Sequence, residues 1–269
     1  MAVDKLEIIP SSTPLKTLLR LETSRILTAR HALALIATSL MGVALAFWLP
    51  QFPESVHRFF ERIFQLPDWP EIVVANDLTG LFFFVYWVGS FDILAIYVVP
   101  LEERYLDLYL SKPLSRRDYM LARIIPIVII VLGLGVLSAI AHWLALIAAG
   151  LKFPLLVYFG AAAAVLGWTV CLLAIVNLAI LAVRDTYSAL VVAFIPLLAS
   201  ILPGVIYMYR PDVFEGAPML RATAVFPNTL VWHPEFSARW GAIIAIALCG
   251  AGVMLIGAAA RQIERRDIA

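Results

Sequence analysis

The chain has 269 residues, of which 62% are hydrophobic and 14% charged, and its net charge is +1. A mean hydropathy of +0.92 excludes a single water-soluble core, because soluble domains are a little under half apolar; most of this chain needs lipid as its solvent. A net charge this close to zero offers no basis for nucleic-acid binding or for an acidic substrate.

The first thirty residues are polar and mixed in charge. They contain no apolar core of the kind a secretory signal needs, so no cleaved signal peptide is expected. A membrane helix needs about 20 mostly apolar residues, at about 1.5 Å each, to cross about 30 Å of hydrocarbon. Six stretches are read as such spans: 32–49, 78–101, 124–151, 155–183, 186–209 and 240–260. They are too long for strands and lack a period of two. Backbone groups in lipid have to bond within their own segment, so the spans are helices.

Between the first two spans, residues 51–77 include "PESVHRFFERIF", which reads as a short amphipathic helix at the lipid interface or at the mouth of a pore. The second span carries Asp92, the one ionisable residue expected deep in a span. A central Asp costs about 2.5 to 3.5 kcal/mol on insertion scales, so such a residue is a candidate functional group. The competing reading is a protonated or hydrogen-bonded Asp92 that holds helices together, with Asn177 as a partner.

The connection after the second span, "LYLSKPLSRRDYMLA", concentrates Lys112, Arg116, Arg117 and Asp118 in a chain otherwise short of charge. Read as a helix, residues 101–110 put Leu101, Tyr105 and Leu108 on one stripe, with Glu102, Glu103 and Asp107 on another. Pro113 breaks that helix by excluding Lys112 from the α region. Ser115 and Asp118 have the spacing of a capping box before an apolar run, so a new helix is expected to start there. The result is a helix, a sharp corner and a helix. Lipid anchoring, at about 1 kcal/mol for each basic residue, is the simplest use of such a corner; the break and the cap fit a surface that transmits force.

Further along, His142 reads as a packed, hydrogen-bonded residue towards the outer side of the third span. His31, His57 and His233 are scattered, so no metal site is expected. Cys171 and Cys249 lie in apolar runs and read as buried free thiols rather than as a disulfide or metal pair. Pro196 and Pro203 are expected to kink the fifth span, and Gly250, Gly252 and Gly257 to allow close packing of the sixth. With both termini in the cytoplasm, 14 of the 20 Lys and Arg fall on the inner side and six on the outer, as the positive-inside rule prefers.

The segment "LEERYLDLYLSKPLSRRDYMLAR" resembles the part of ABC-2 type exporter permeases that reads roughly E-x-G-T-L-E-x-L-L-S-x-P-[VL]-S-R-R. Glu102, Leu106, Asp107, Leu108, Leu110, Ser111, Pro113, Leu114, Ser115, Arg116 and Arg117 match, while Arg104 and Tyr105 replace the family's Gly-Thr pair. "LLRLETSRILTARHALALI" is similar to the family's opening amphipathic helix, and "RQIERRDIA" to its short basic tail. The resemblance implies an all-α integral membrane protein, a single permease domain over residues 1–269. It would have six transmembrane helices, an N-terminal interface helix and a cytoplasmic coupling helix between spans 2 and 3. Leu110, Ser111, Lys112, Pro113, Leu114, Ser115, Arg116 and Arg117 would then couple to two separate ATPase subunits, which bind ATP and Mg; this chain has no phosphate loop of its own. A second permease copy or a paralogue, membrane lipid and room for an extracytoplasmic accessory protein are implied as well. The setting would be a bacterial or archaeal cytoplasmic membrane. No catalytic residue is expected: the sequence contains no HExxH, no G-x-S-x-G and no paired carboxylates within the expected spans. The alternative is a structural subunit that has kept the permease scaffold and moves nothing.

Overall fold

The computed structural model describes residues 14–64, 66, 68–102, 115–183, 185–214 and 234–265. Among them there are helices, turns and no strand. The helices are α1 (Pro14–Ile26), α2 (Ala29–Trp48), α3 (Glu54–Phe64), α4 (Trp69–Glu102), α5 (Arg116–Ala148), α6 (Leu155–Ile180), α7 (Thr186–Tyr209) and α8 (Pro234–Arg265). Five of them, α2, α4, α5, α6 and α8, are long and apolar enough to cross a membrane. The apolar stretch described for α7, Thr186–Leu202, is shorter than that.

The faces turned out of the bundle are themselves apolar: Leu33, Leu40, Leu156, Val191, Ile246 and Met254 are all more than half exposed. Large exposed apolar surface of this kind suits a lipid solvent and would be a liability in water. The centre is built from α4, α5 and α6, with Phe82, Tyr86, Ile127, Leu146, Tyr158 and Leu173 fully buried between them.

Two boundaries differ from those expected. Helix α4 begins at Trp69, nine residues ahead of 78, and so takes Asp77 out of the presumed loop and into the helix. Helix α5 begins at Arg116, which places Arg123 inside the helix and buries it. At its far end α5 stops at Ala148, where Gly150 turns the chain with φ 74°. The Gly150 N–H then donates to the Ile147 carbonyl and the Leu151 N–H to that of Leu146, both at 3.0 Å. That is a Schellman stop, which needs a left-handed residue and therefore favours glycine. Helix α7 is capped by Asp185, whose carboxylate accepts the Ser188 N–H at 2.9 Å. This bond holds the Asp185 carboxyl below its usual range. The cap is therefore in place at neutral pH and is lost as pH falls through that lowered value.

Close packing of α8 uses one of the three glycines expected, Gly252, and two others. A Cβ would meet nothing within 4 Å at Gly250 or Gly257, whereas Gly252 lies against Val170 and Cys171 on α6. The tight contacts are Gly241 against the Gly160 backbone and Gly167 against Ala245, where a Cβ would lie 2.9 Å from the Ala245 Cα. Helices in lipid gain their cohesion from such backbone approach rather than from a hydrophobic drive. Gly241→Leu is expected to push α8 off α6 and to destabilise the chain by at least the roughly 1–3 kcal/mol of ordinary overpacking. A fall in thermal midpoint in detergent, larger than that for Gly250→Leu, checks this.

Candidate functional site

The bundle has two ends, here called the loop end (where α4 leaves and α5 begins) and the hairpin end (where α5 turns into α6). At the loop end, the Ser115 Oγ accepts the Asp118 N–H at 3.0 Å, and α5 starts at the next residue, as the spacing of the two residues predicts. Arg117 is exposed in that first turn. Leu110, Ser111, Lys112, Pro113 and Leu114, and most of the 101–110 helix, lie outside the described residues. Helix α4 itself continues as far as Glu102.

Just inside this end, Arg123 ties three helices together. Its Nη1 donates to the Ile96 carbonyl on α4 at 2.8 Å, its Nη2 lies 3.7 Å from Glu22 Oε1 on α1, and its guanidinium sits 4.6 Å over the Tyr119 ring. The neighbouring Tyr97 hydroxyl donates to the Met120 carbonyl at 3.0 Å. Arg123 therefore acts as a strut between α1, α4 and α5 and does not project from the loop.

Asp92, on α4, is 2% exposed and is held by α2. Arg30 Nη2 donates to its Oδ1 at 2.6 Å, and His31 Nε2 lies 2.8 Å from its Oδ2. The His31 Nδ1 accepts the Thr28 backbone N–H at 3.2 Å. The Thr28 hydroxyl lies 3.3 Å from the same nitrogen, while Nε2 faces the Asp92 carboxyl. Arg30 and His31 of α2 together hold both Asp92 oxygens. Asn177, the expected partner, is fully buried on α6, and its side chain makes no hydrogen bond among the described residues. Both Asp92 oxygens already have other partners. Of the two readings of Asp92, the geometry is that of the helix-holding one, with α2 in place of Asn177.

A second buried carboxylate, missed in the sequence, lies at the hairpin end. Asp77 on α4 is in direct contact through Oδ1 with Nδ1 of His142 on α5, and its Oδ2 accepts the Tyr158 hydroxyl of α6 at 2.9 Å. The other nitrogen of His142, Nε2, is 2.7 Å from the Thr38 carbonyl on α2. Four helices meet here, and the ring packs so closely on α2 that a Cβ at Gly42 would overlap it. His142 is packed and hydrogen-bonded, as its lone position suggested, but its principal partner is an acid. Both ring nitrogens are occupied, so neither is open to a substrate.

Trp143 lies 5.4 Å from the Tyr158 ring, centroid to centroid, and lines an open cleft of about 530 Å³ with Gly150, Lys152 and Pro154. Among the described residues, no three His, Cys, Asp or Glu side chains come together as a metal site. Cys171 is buried, Cys249 partly so, and both are free thiols. The class this architecture defines is a helical membrane protein whose few polar side chains are used inside the bundle as inter-helix ties. No protein-family model matches the chain, and no curated protein matches it either.

Proposed function

We propose that the chain is the membrane-spanning permease subunit of an ATP-binding-cassette transporter, an exporter energised by separate ATPase subunits that dock on the corner at residues 110–117. On this reading α2, α4, α5, α6, α7 and α8 are the six spans, and the loop end and both termini face the cytoplasm. α1 lies at the interface, and a second permease copy completes the path. ATP hydrolysis belongs to the partner.

The observation that carries the proposal is the placement of charge at the start of α5. Arg116 and Arg117 occupy the first two positions of that helix, directly after the Ser115 cap. A helix N-terminus is the positive end of its dipole, so each cation there costs the helix about 0.3–1 kcal/mol. Residues that weaken their own helix are retained for something else, and Arg117 is exposed and available to a partner. The sequence resemblance supplies the identity of that partner. Helix α5 then offers the transmission: its 33 residues form one rod of about 50 Å, at about 1.5 Å each, from the corner to the hairpin. A push at Ser115 is passed by Arg123 to α1 and α4, and by His142 to α2, α4 and α6.

The chain purified from native membranes in mild detergent is expected to bring with it an ATPase subunit and a nucleotide-dependent hydrolysis activity. Recovery of the intact chain with neither would leave the structural-subunit alternative standing in place of the transporter.

A further inference from the structure

We propose that the cleft at the hairpin end is a binding site for one anionic phospholipid, with Lys152 as the cation that meets its phosphate.

The cleft, of about 530 Å³, is lined by Trp143, Ile147, Leu151, Phe153 and Pro154 beside Lys152. Sites for small molecules run from about 300 to 1,000 Å³, mostly apolar with a few polar groups. Here the polar side-chain groups are the Lys152 ammonium and the Trp143 indole N–H. Lys152 is exposed and has no carboxylate within ion-pair distance among the described residues, whereas Arg30, Arg58, Arg123 and Arg210 each have one. The Trp143 ring is held against Tyr158 and Phe159, at 5.4 and 5.9 Å between centroids, and its N–H has no hydrogen-bond partner among the described residues. The turn uses the Gly150 and Leu151 N–H groups and leaves those of Lys152 and Phe153 without a backbone partner among the described residues. A cation and several donors at one apolar cleft suit an anion that carries an apolar body.

The surroundings of the cleft select the ligand. Leu144 and Ile147 before the turn, and Leu155 and Leu156 after it, are each more than half exposed. Lipid-facing surface therefore reaches to Ile147 on one side of Lys152 and to Leu155 on the other. That sets the ammonium at the edge of the hydrocarbon, the level of headgroup phosphates and of an aromatic belt that includes Trp143. An acyl chain can lie along Leu144 and Ile147 while the phosphate of the same molecule meets Lys152. A free phosphate would gain the cation and nothing from the apolar lining. A zwitterionic headgroup brings its own cation, and the cleft has no carboxylate to receive it; Asp77, the buried acid of this end, is already engaged by His142 and Tyr158. An anionic phospholipid meets neither objection. The site requires only the membrane setting, so it stands whether or not an ATPase docks on the corner at the other end.

The test titrates the full-length chain in detergent micelles with phosphatidylglycerol, phosphatidylcholine or inorganic phosphate and counts bound molecules by native mass spectrometry. One phosphatidylglycerol is expected to bind at least about tenfold more tightly than phosphatidylcholine, the difference that one charge-assisted hydrogen bond supplies. Lys152→Gln is expected to abolish that preference and Lys152→Arg to keep it. Ile147→Trp, which fills the cleft and leaves the charge, is expected to lose the bound lipid. Arg58→Gln, which removes an exposed cation of α3, is expected to change nothing. Lys152 is exposed in the turn, so the thermal midpoint of Lys152→Gln is expected to match the wild type and to separate lost binding from lost folding. Equal binding of the two lipids, or a preference that survives Lys152→Gln, overturns the proposal. Wild-type binding by Ile147→Trp overturns it in favour of plain surface attraction, and inorganic phosphate bound as tightly as the lipid overturns it in favour of a free anion. Should Ile147→Trp fail to fold, the two Lys152 variants decide alone.

Discussion

A chain carrying Arg116→Glu and Arg117→Glu together is expected to reach the membrane in wild-type amounts and to lose its ATPase. The physical reason for undisturbed folding is the position of the two residues. At the first turn of α5 the exchange replaces unfavourable cations with favourable anions, so the helix gains about 0.3–1 kcal/mol at each site. The Ser115 cap, a 3.0 Å bond to the Asp118 N–H, is untouched. Against a docking surface, two reversed charges at about 1.4 kcal/mol or more each would weaken association on the order of a hundredfold. Co-purification yield and nucleotide-dependent transport measure the effect. Unchanged yield and unchanged transport would return the corner to simple lipid anchoring. Pro113→Ala, which would remove the helix break expected from the sequence, is expected to impair transport while keeping the charges in place.

The second large effect is expected at the hairpin end. His142→Ala leaves the Asp77 carboxylate buried with the Tyr158 hydroxyl alone, and Asp77→Ala leaves Nδ1 of His142 without its partner. Breaking one side of a buried pair costs about 3–5 kcal/mol, whereas replacing both sides by apolar groups is often near neutral. Each single alanine is therefore expected to lower the thermal midpoint sharply, and Asp77→Leu with His142→Leu to lower it by less than the sum of the single losses. Strict additivity would mean that the two residues do not act as a unit. Gly42 is coupled to the same site: a side chain there collides with the His142 ring, so Gly42→Val is expected to mimic His142→Ala.

Local rules were enough for much of this protein. Length and composition identify the lipid solvent and the apolar helices. The Ser115–Asp118 spacing locates the start of α5, and "PESVHRFFERIF" becomes α3 as its pattern of charges suggests. These features depend on residues within a few positions of one another, so their physics is contained in the string.

What a window along the chain could not supply was partnership. Asp77 looked like the edge of a loop because a hydropathy window ends where charge begins; burial across four helices is what makes it an interior residue. Arg123 was counted as a loop cation for the same reason and proved to be a strut. Asp92 stood out as costly, yet its partners are 61 and 62 residues away and belong to the polar N-terminus of α2, which no apolar pattern marks. The signal in the sequence for the second site is the pairing of an acid near the start of one span with a lone histidine near the end of the next. In an antiparallel pair those positions are level. Sequence by itself determined that this chain dissolves in lipid as helices and where several of them begin, because solvation and capping act locally. Only the packed bundle decided which charges neutralise one another, because that depends on distances between helices, and no residue's own neighbours in the chain set those.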